Sequence, residues 1–222
     1  MPGFSTDCRL CARLARHLER VRAEHPGYHA LPVAPFGARR AMLLVVGLAP
    51  GLHGANRTGR PFTGDHAGLL LYETLYRYGF ATRPKSISAA DGLQLKECNI
   101  TNAVKCLPPA NRPLPDEVRR CNPYLAAEIG ALPNEAGVLA LGIIAHDAVL
   151  MAIGAKRSAY PFRHGAQHSL ARGIVLFDSY HCSRYNTQTK RLTTEMFQRV
   201  FDAIRKHVAL SPSRWRVARK HR

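Results

Sequence analysis

The sequence predicts an α/β fold, a three-layer α/β/α domain around a central four-stranded parallel sheet. Two observations carry this expectation: four apolar runs too short to be helices, and an amphipathic helical segment after each of them. Length makes it feasible. At 222 residues, 46% of them hydrophobic, one folded unit removes roughly 70% of the unfolded chain's surface from water and needs no covalent staples.

From Asp7 to Glu24 the apolar residues Leu10, Leu14, Leu18 and Val21 recur every three or four positions, with Asp7 as N-cap and Pro26-Gly27 as stop. The chain therefore opens on an amphipathic helix. Residues 27–40 mix prolines with small residues and read as a connecting loop. Met42 to Val46 is continuously apolar, the mark of a parallel strand buried on both faces. After the Gly- and Pro-rich stretch 47–64, Leu69, Leu70, Tyr72, Leu75 and Tyr76 keep helical spacing up to Gly79. Asn99 to Val104, Val138 to Leu141 and Ile174 to Phe177 repeat the strand pattern, and helices are expected over about 115–132, 143–153 and 193–208. Residues 1–210 are thus read as one domain. Residues 211–222 hold five of the 32 Lys and Arg, one Trp and no acid, and read as a basic, disordered arm.

Charge narrows the function classes. With 32 Lys and Arg against 15 Asp and Glu the net charge is +17, which calls for a polyanionic partner. The longest apolar stretch, Ala41 to Pro50, is far below the roughly 20 residues that cross a bilayer, so no membrane role is expected. The N-terminus lacks the basic and apolar regions of a secretory signal, which points to a reducing, cytoplasmic setting in which the six cysteines are not disulfides.

In an open parallel sheet, ligands bind beyond the carboxyl ends of the strands. The first loop there runs from Gly47 to Asp65. Its glycines, Gly47 and Gly51 among them, allow close approach to a flat ligand at Ala49, and Phe62 offers a stacking face. The second, Lys105 to Arg112, is stiffened by Pro108 and Pro109 and carries Asn111, whose amide suits a nucleobase edge. The last runs from Ser179 to Asn186 and is the most polar; His181 leaves a buried strand directly into it. Plainer roles stand beside these: Asp65 as a helix N-cap, Phe62 as core, His146 and His164 as packing histidines.

Cys8 and Cys11 form a C-x2-C pair on the first helix, and Cys106 and Cys121 lie fifteen positions apart around the second loop. Together they can make one four-thiolate site, for zinc or for an iron–sulfur cluster. The wide spacing of the second pair leans toward [4Fe–4S]. Cys98 and Cys182 read as free packing thiols.

Several motifs now converge. Gly47-Leu48-Ala49-Pro50-Gly51, Gly59-Arg60-Pro61-Phe62-Thr63-Gly64-Asp65, the loop Lys105 to Arg112 and His181-Cys182-Ser183-Arg184-Tyr185-Asn186-Thr187-Gln188-Thr189, with Cys8 and Cys11, resemble the family 5 (type b) uracil-DNA glycosylases. The resemblance covers about residues 7–208. It implies excision of uracil, and of other deaminated bases such as hypoxanthine or xanthine, from DNA, and a [4Fe–4S] cluster on Cys8, Cys11, Cys106 and Cys121. It also implies His181 as donor to the departing base and Asp65 as the catalytic carboxylate. The wider superfamily usually carries an acid or Asn in the first motif, where this chain has Leu48 and Ala49. Asp65 fills that role only if the loop from Gly59 to Gly64 folds back. Stacking on Phe62 and edge reading by Asn111 suit a flipped base. Arg57, Arg60, Arg112, Ser183 and Arg184 are expected on DNA.

Two other classes compete. A non-catalytic basic DNA-binding protein with a structural four-cysteine metal site explains charge and cysteines, but leaves the Phe62, Asn111 and His181 constellation idle and lacks an aromatic ladder. An electron-transfer iron–sulfur protein lacks any flavin or nucleotide fingerprint. A glycosylase acts on one base at a time, which points to a monomer.

Overall fold

The computed structural model describes residues 4–38 and 40–210; the arm 211–222 lies outside the described residues. Four parallel strands form at the predicted runs: β2 (Leu43–Gly47), β3 (Cys98–Asn102), β4 (Gly137–Leu141) and β6 (Val175–Ser179). Two short antiparallel strands extend this core, β1 (Phe36–Gly37) on β3 and β5 (Gln167–Ser169) on β6. The sheet is therefore six-stranded, in the order β1-β3-β2-β4-β6-β5. Sequence reading did not anticipate the two outer strands.

Side chains along β2 alternate between two cores, as the strand period requires. Leu44 and Val46 join Leu14 and Leu18 of α1 (Ala12–Glu24), Leu125 of α4 (Pro115–Gly130) and Val149 of α5 (Ile143–Ala152). Leu43 and Val45 join Leu71 and Tyr72 of α3 (His66–Arg77) and Phe197 and Phe201 of α7 (Thr194–Leu210). Helices thus cover both faces, which is why these strands read as unbroken apolar runs. Two further short helices are α2 (Ala55–Thr58) and α6 (Arg184–Gln188). No helix among the described residues is long and apolar enough to cross a membrane.

The first helix departs from its predicted start. It begins at Ala12 with Cys11 as N-cap, so Asp7 caps nothing and Cys8 lies in the preceding loop. What anchors this end is tertiary: Arg13 forks onto Glu117 of α4 at 2.7 and 2.8 Å. The chain leaves β2 for β3 on one side, then returns across to β4 on the other. This reversal opens a crevice beyond the carboxyl ends of β2 and β4.

Candidate active site

That crevice holds a cavity of about 440 Å³ lined by residues that follow all four parallel strands. Ala49 and Gly51 come from the first loop, Asn111 from the second, Gly142, Ile143 and Ile144 from the start of α5, and His181 and Ser183 from the last. Its size falls within the range of small-ligand sites.

Phe62 and Asp65 reach the cavity because the first loop folds back on itself. Gly59 and Gly64 are left-handed, at φ 76° and 81°, and so is Phe62, at φ 54°. A non-glycine residue there is strained and needs its surroundings to hold it. Tyr72 donates to the Pro61 carbonyl at 2.8 Å and Thr58 to that of Thr63 at 3.2 Å, fixing the turn from both sides. Gly54 lets the loop close: a side chain there would begin 2.5 Å from Asp65 Oδ2. Gly47, expected against the ligand, instead lies behind the site, where a Cβ would come within 2.6 Å of the Phe62 ring.

Asp65 is a helix N-cap and a cavity-lining residue at once. Its Oδ1 accepts from the Gly68 N–H at 2.8 Å as the N-cap of α3, and the same side chain is the one carboxylate lining the cavity. Burial pushes its pKa up, against the opposing pull of the Gly68 N–H and of His66. His181 sits beside the Phe62 ring, their centroids 5.9 Å apart and their planes 31° from parallel. Asn186 Nδ2 donates to its carbonyl at 2.8 Å and holds the loop. Burial lowers the pKa of His181 to about 4, so the ring is neutral at physiological pH.

Asn111 stands exposed at the cavity mouth in a left-handed turn, at φ 55°, which an asparagine tolerates well. Ser183 lines the cavity and caps α6 by accepting from Asn186 N. Arg57, Arg112 and Arg184 are exposed on the surrounding loops. Arg60 is the exception: expected on phosphates, it is 6% exposed and fully engaged inside. Its guanidinium meets Asp91 at 2.7 Å, Ser86 at 3.0 Å and the Ala89 carbonyl at 2.5 Å, and lies over the Phe36 ring. It braces the loop and cannot reach DNA.

Sequence reading missed Asn102. This residue ends β3, is 3% exposed and lines the cavity, yet its Oδ1 has no hydrogen-bond partner. Both amide atoms of buried Asn56 are without partners as well, but of the two asparagines only Asn102 lines the cavity. The available signal was its place, an amide at the carboxyl end of a core strand.

Cys8, Cys11, Cys106 and Cys121 line one small cavity behind the second loop, none of them in a disulfide. The Lys105 N–H donates to Cys121 Sγ at 3.3 Å, and the Tyr124 hydroxyl to Cys8 Sγ at 3.6 Å. Burial pushes the Cys121 thiol up to about 11 and that of Cys106 higher still, with neighbouring sulfurs adding repulsion. Cys98 and Cys182 are buried packing thiols, as expected.

A family model described as the uracil DNA glycosylase superfamily matches residues 34–205. The chain belongs to this superfamily. Within it, 48% of 200 aligned residues are identical to a type-5 uracil-DNA glycosylase of Thermus thermophilus, covering 88% of this chain and 91% of the relative. The corresponding protein of Pyrobaculum aerophilum is 42% identical over 87% of this chain and 86% of its own length. That of Mycobacterium bovis is 41% identical over 90% of this chain and 77% of its own. All four loops that line the cavity fall inside the matched region.

Proposed function

We propose that this protein removes uracil from DNA by hydrolysing the N-glycosidic bond, leaving an abasic site. The observation that carries this reading is one cavity that joins an aromatic face, an unsatisfied buried amide, a neutral imidazole and a carboxylate, with exposed arginines on the loops around it.

Phe62 gives the extruded base a stacking surface. Asn102, held in the amide orientation that turns its carbonyl toward the base ring N–H, offers an acceptor beside a donor. This complements the ring N–H and adjacent carbonyl of uracil, hypoxanthine or xanthine. Cytosine presents a bare ring nitrogen where the amide carbonyl needs a proton, and is rejected. Asn111 at the mouth adds contacts to the base edge.

As the bond to C1′ breaks, its electron pair leaves with the base and the sugar becomes oxocarbenium-like. Neutral His181 donates an N–H to the base oxygen where this charge gathers, a donor preorganised beside the Phe62 ring. Asp65, as carboxylate, stabilises the cationic sugar and takes the proton of the water that adds to C1′. The released base then takes up a proton from solvent. Arg57, Arg112 and Arg184 hold the phosphates.

The four cysteines suit a [4Fe–4S] cluster. The four side chains line one small cavity, and mutual repulsion of their sulfurs adds to burial in raising the Cys106 and Cys121 thiols, a repulsion that a shared cationic group would relieve. Cys8, Cys11, Cys106 and Cys121, two half-buried and two buried, would hold such a cluster, which would tie the N-terminal segment to α4 and the second loop; the Lys105 N–H and Tyr124 hydroxyl donate to the Cys121 and Cys8 sulfurs.

Incubation with a uracil-containing oligonucleotide followed by alkali tests the reading. Strand cleavage at uracil is expected, and an intact strand refutes it. Iron and sulfide analysis with absorbance near 400 nm tests the cluster, and stoichiometric zinc in place of iron refutes it.

A further inference from the structure

Outside the pocket, one buried polar cluster joins three elements. Asp178 on β6 is fully buried, and its two carboxylate oxygens meet two imidazoles. His146 Nδ1 on α5 lies 2.7 Å from Oδ1, and His168 Nε2 on β5 lies 3.1 Å from Oδ2. The other ring nitrogen of His146 lies 2.8 Å from the Tyr160 carbonyl. When Asp178 is a carboxylate, both nitrogens of His146 face acceptors, and only an imidazolium has two N–H groups. An un-ionised carboxyl donating to a neutral ring places the same proton on the other side of the 2.7 Å bond. In both forms the pair holds one extra proton, and losing it leaves one contact without a hydrogen.

The surroundings of His146 support retention of that proton. Asp178 faces it from β6, His168 from β5, Asp147 from its own helix, and the Phe162 ring meets it edge-on. Burial opposes the charge, but the hydrogen bond and attraction of Asp178 outweigh it, and its pKa is raised. A divalent ion is a poor occupant. Its bonds of about 2.0–2.1 Å to nitrogen and oxygen crowd ligand atoms only 2.7 Å apart.

The cluster lies where β6 releases the active-site loop. The residue after Asp178, Ser179, accepts from Gly142 N at 2.8 Å, the point at which α5 begins and lines the cavity. His181 follows two positions later, its Cβ 3.7 Å from where a Gly142 side chain would start. We propose that His146, Asp178 and His168 form a protonated brace that fixes the end of β6 against α5 and β5, and that these three are positioning residues for His181. This rests on the reading of the pocket as the glycosylase site.

The brace holds its extra proton at neutral pH and opens as pH rises through the raised value of His146. Imidazole ¹⁵N–¹H spectra of the full-length protein should show both ring N–H groups of the His146–Asp178 pair near neutrality. Their loss at alkaline pH should coincide with a shift of the His181 ring signals. Asp178→Asn and His146→Gln should each slow single-turnover uracil excision about tenfold, the scale of a small misplacement of a catalytic group. DNA affinity should stay unchanged and the alkaline limb of the pH–rate profile should disappear. The proposal falls if His181 ignores the His146 transition, if both variants keep the parental rate and limb, or if metal analysis finds an ion at the triad. Should the variants not fold, the spectra of the parent protein decide alone. A parent that excises no uracil refutes the glycosylase reading while those spectra still judge the brace.

Discussion

The Arg60 cluster and the neighbouring pocket draw on the same first loop but treat their polar groups in opposite ways. Around Arg60 every group is engaged: the guanidinium has Asp91, Ser86 and the Ala89 carbonyl, and Asp91 also accepts from the N–H groups of Ile87, Ser88 and Leu93. Burial works against the Asp91 charge, yet Arg60 and these N–H groups outweigh it and hold the carboxyl well below the usual range. In the pocket, Asn102 Oδ1 has no partner and His181 is kept neutral by burial. A closed network gives the loop its shape, and an open one leaves hydrogen-bonding capacity for a substrate.

Breaking the closed network should have the largest effect on stability. Arg60→Met leaves Asp91 without its cation, and removing one partner of a buried pair typically costs about 3–5 kcal/mol. Chemical denaturation measures the loss. Because the Asp91 carboxyl is depressed in the folded state, its contribution is present above about pH 4 and fades as pH falls further, so parent and variant should converge in acid. Equal stability at neutral pH would show that Arg60 is not a brace.

His181→Ala should do the reverse, sparing the fold and lowering single-turnover excision by about 10² or more, the scale of losing one preorganised donor. Its acid response sharpens the contrast. Parent His181 resists protonation down to about pH 4, whereas in the unfolded chain it takes up a proton at ordinary values. The parent therefore loses stability as pH falls through this window, and His181→Ala should lose less, as melting curves at about pH 7 and about pH 5 will show.

The two regions also differ in how far sequence revealed them. Buried runs such as Leu43 to Val46 announce their strands because helices cover both faces. The outer strands Phe36–Gly37 and Gln167–Ser169 are too short for any pattern and exist only through pairing with β3 and β6. Phe62, Asn111 and His181 were legible from loop chemistry beyond strand ends. Arg57 and Arg60 were not separable, since what buries Arg60 is an acid 31 positions away. Asn102 was hidden inside a strand, where its missing partner shows only in three dimensions.

Asn102→Ala tests whether that missing partner is a base. Deleting a base-edge contact should change the ranking of excised bases, with about 1–3 kcal/mol less discrimination between uracil and cytosine. Asn111→Ala, at the exposed mouth, should shift the ranking less. A panel of oligonucleotides carrying single modified bases compares the two. An unaltered ranking in Asn102→Ala would make the amide a structural residue.

The smallest effects should come from the exposed arginines. Arg57, Arg112 and Arg184 stand in solvent, so each Ala substitution should leave folding and chemistry intact while removing one phosphate contact. Each such contact carries close to one unit of slope in the plot of log affinity against log salt. Fluorescence anisotropy across a salt series should show that loss for all three and no change of slope for Arg60→Met, because a buried guanidinium displaces no counterions. Deleting residues 211–222 extends the series to the basic arm. A flatter slope with an unchanged chemical step would assign its five Lys and Arg residues to phosphate binding, and a matching slope would leave the grip on DNA to the loops around the pocket.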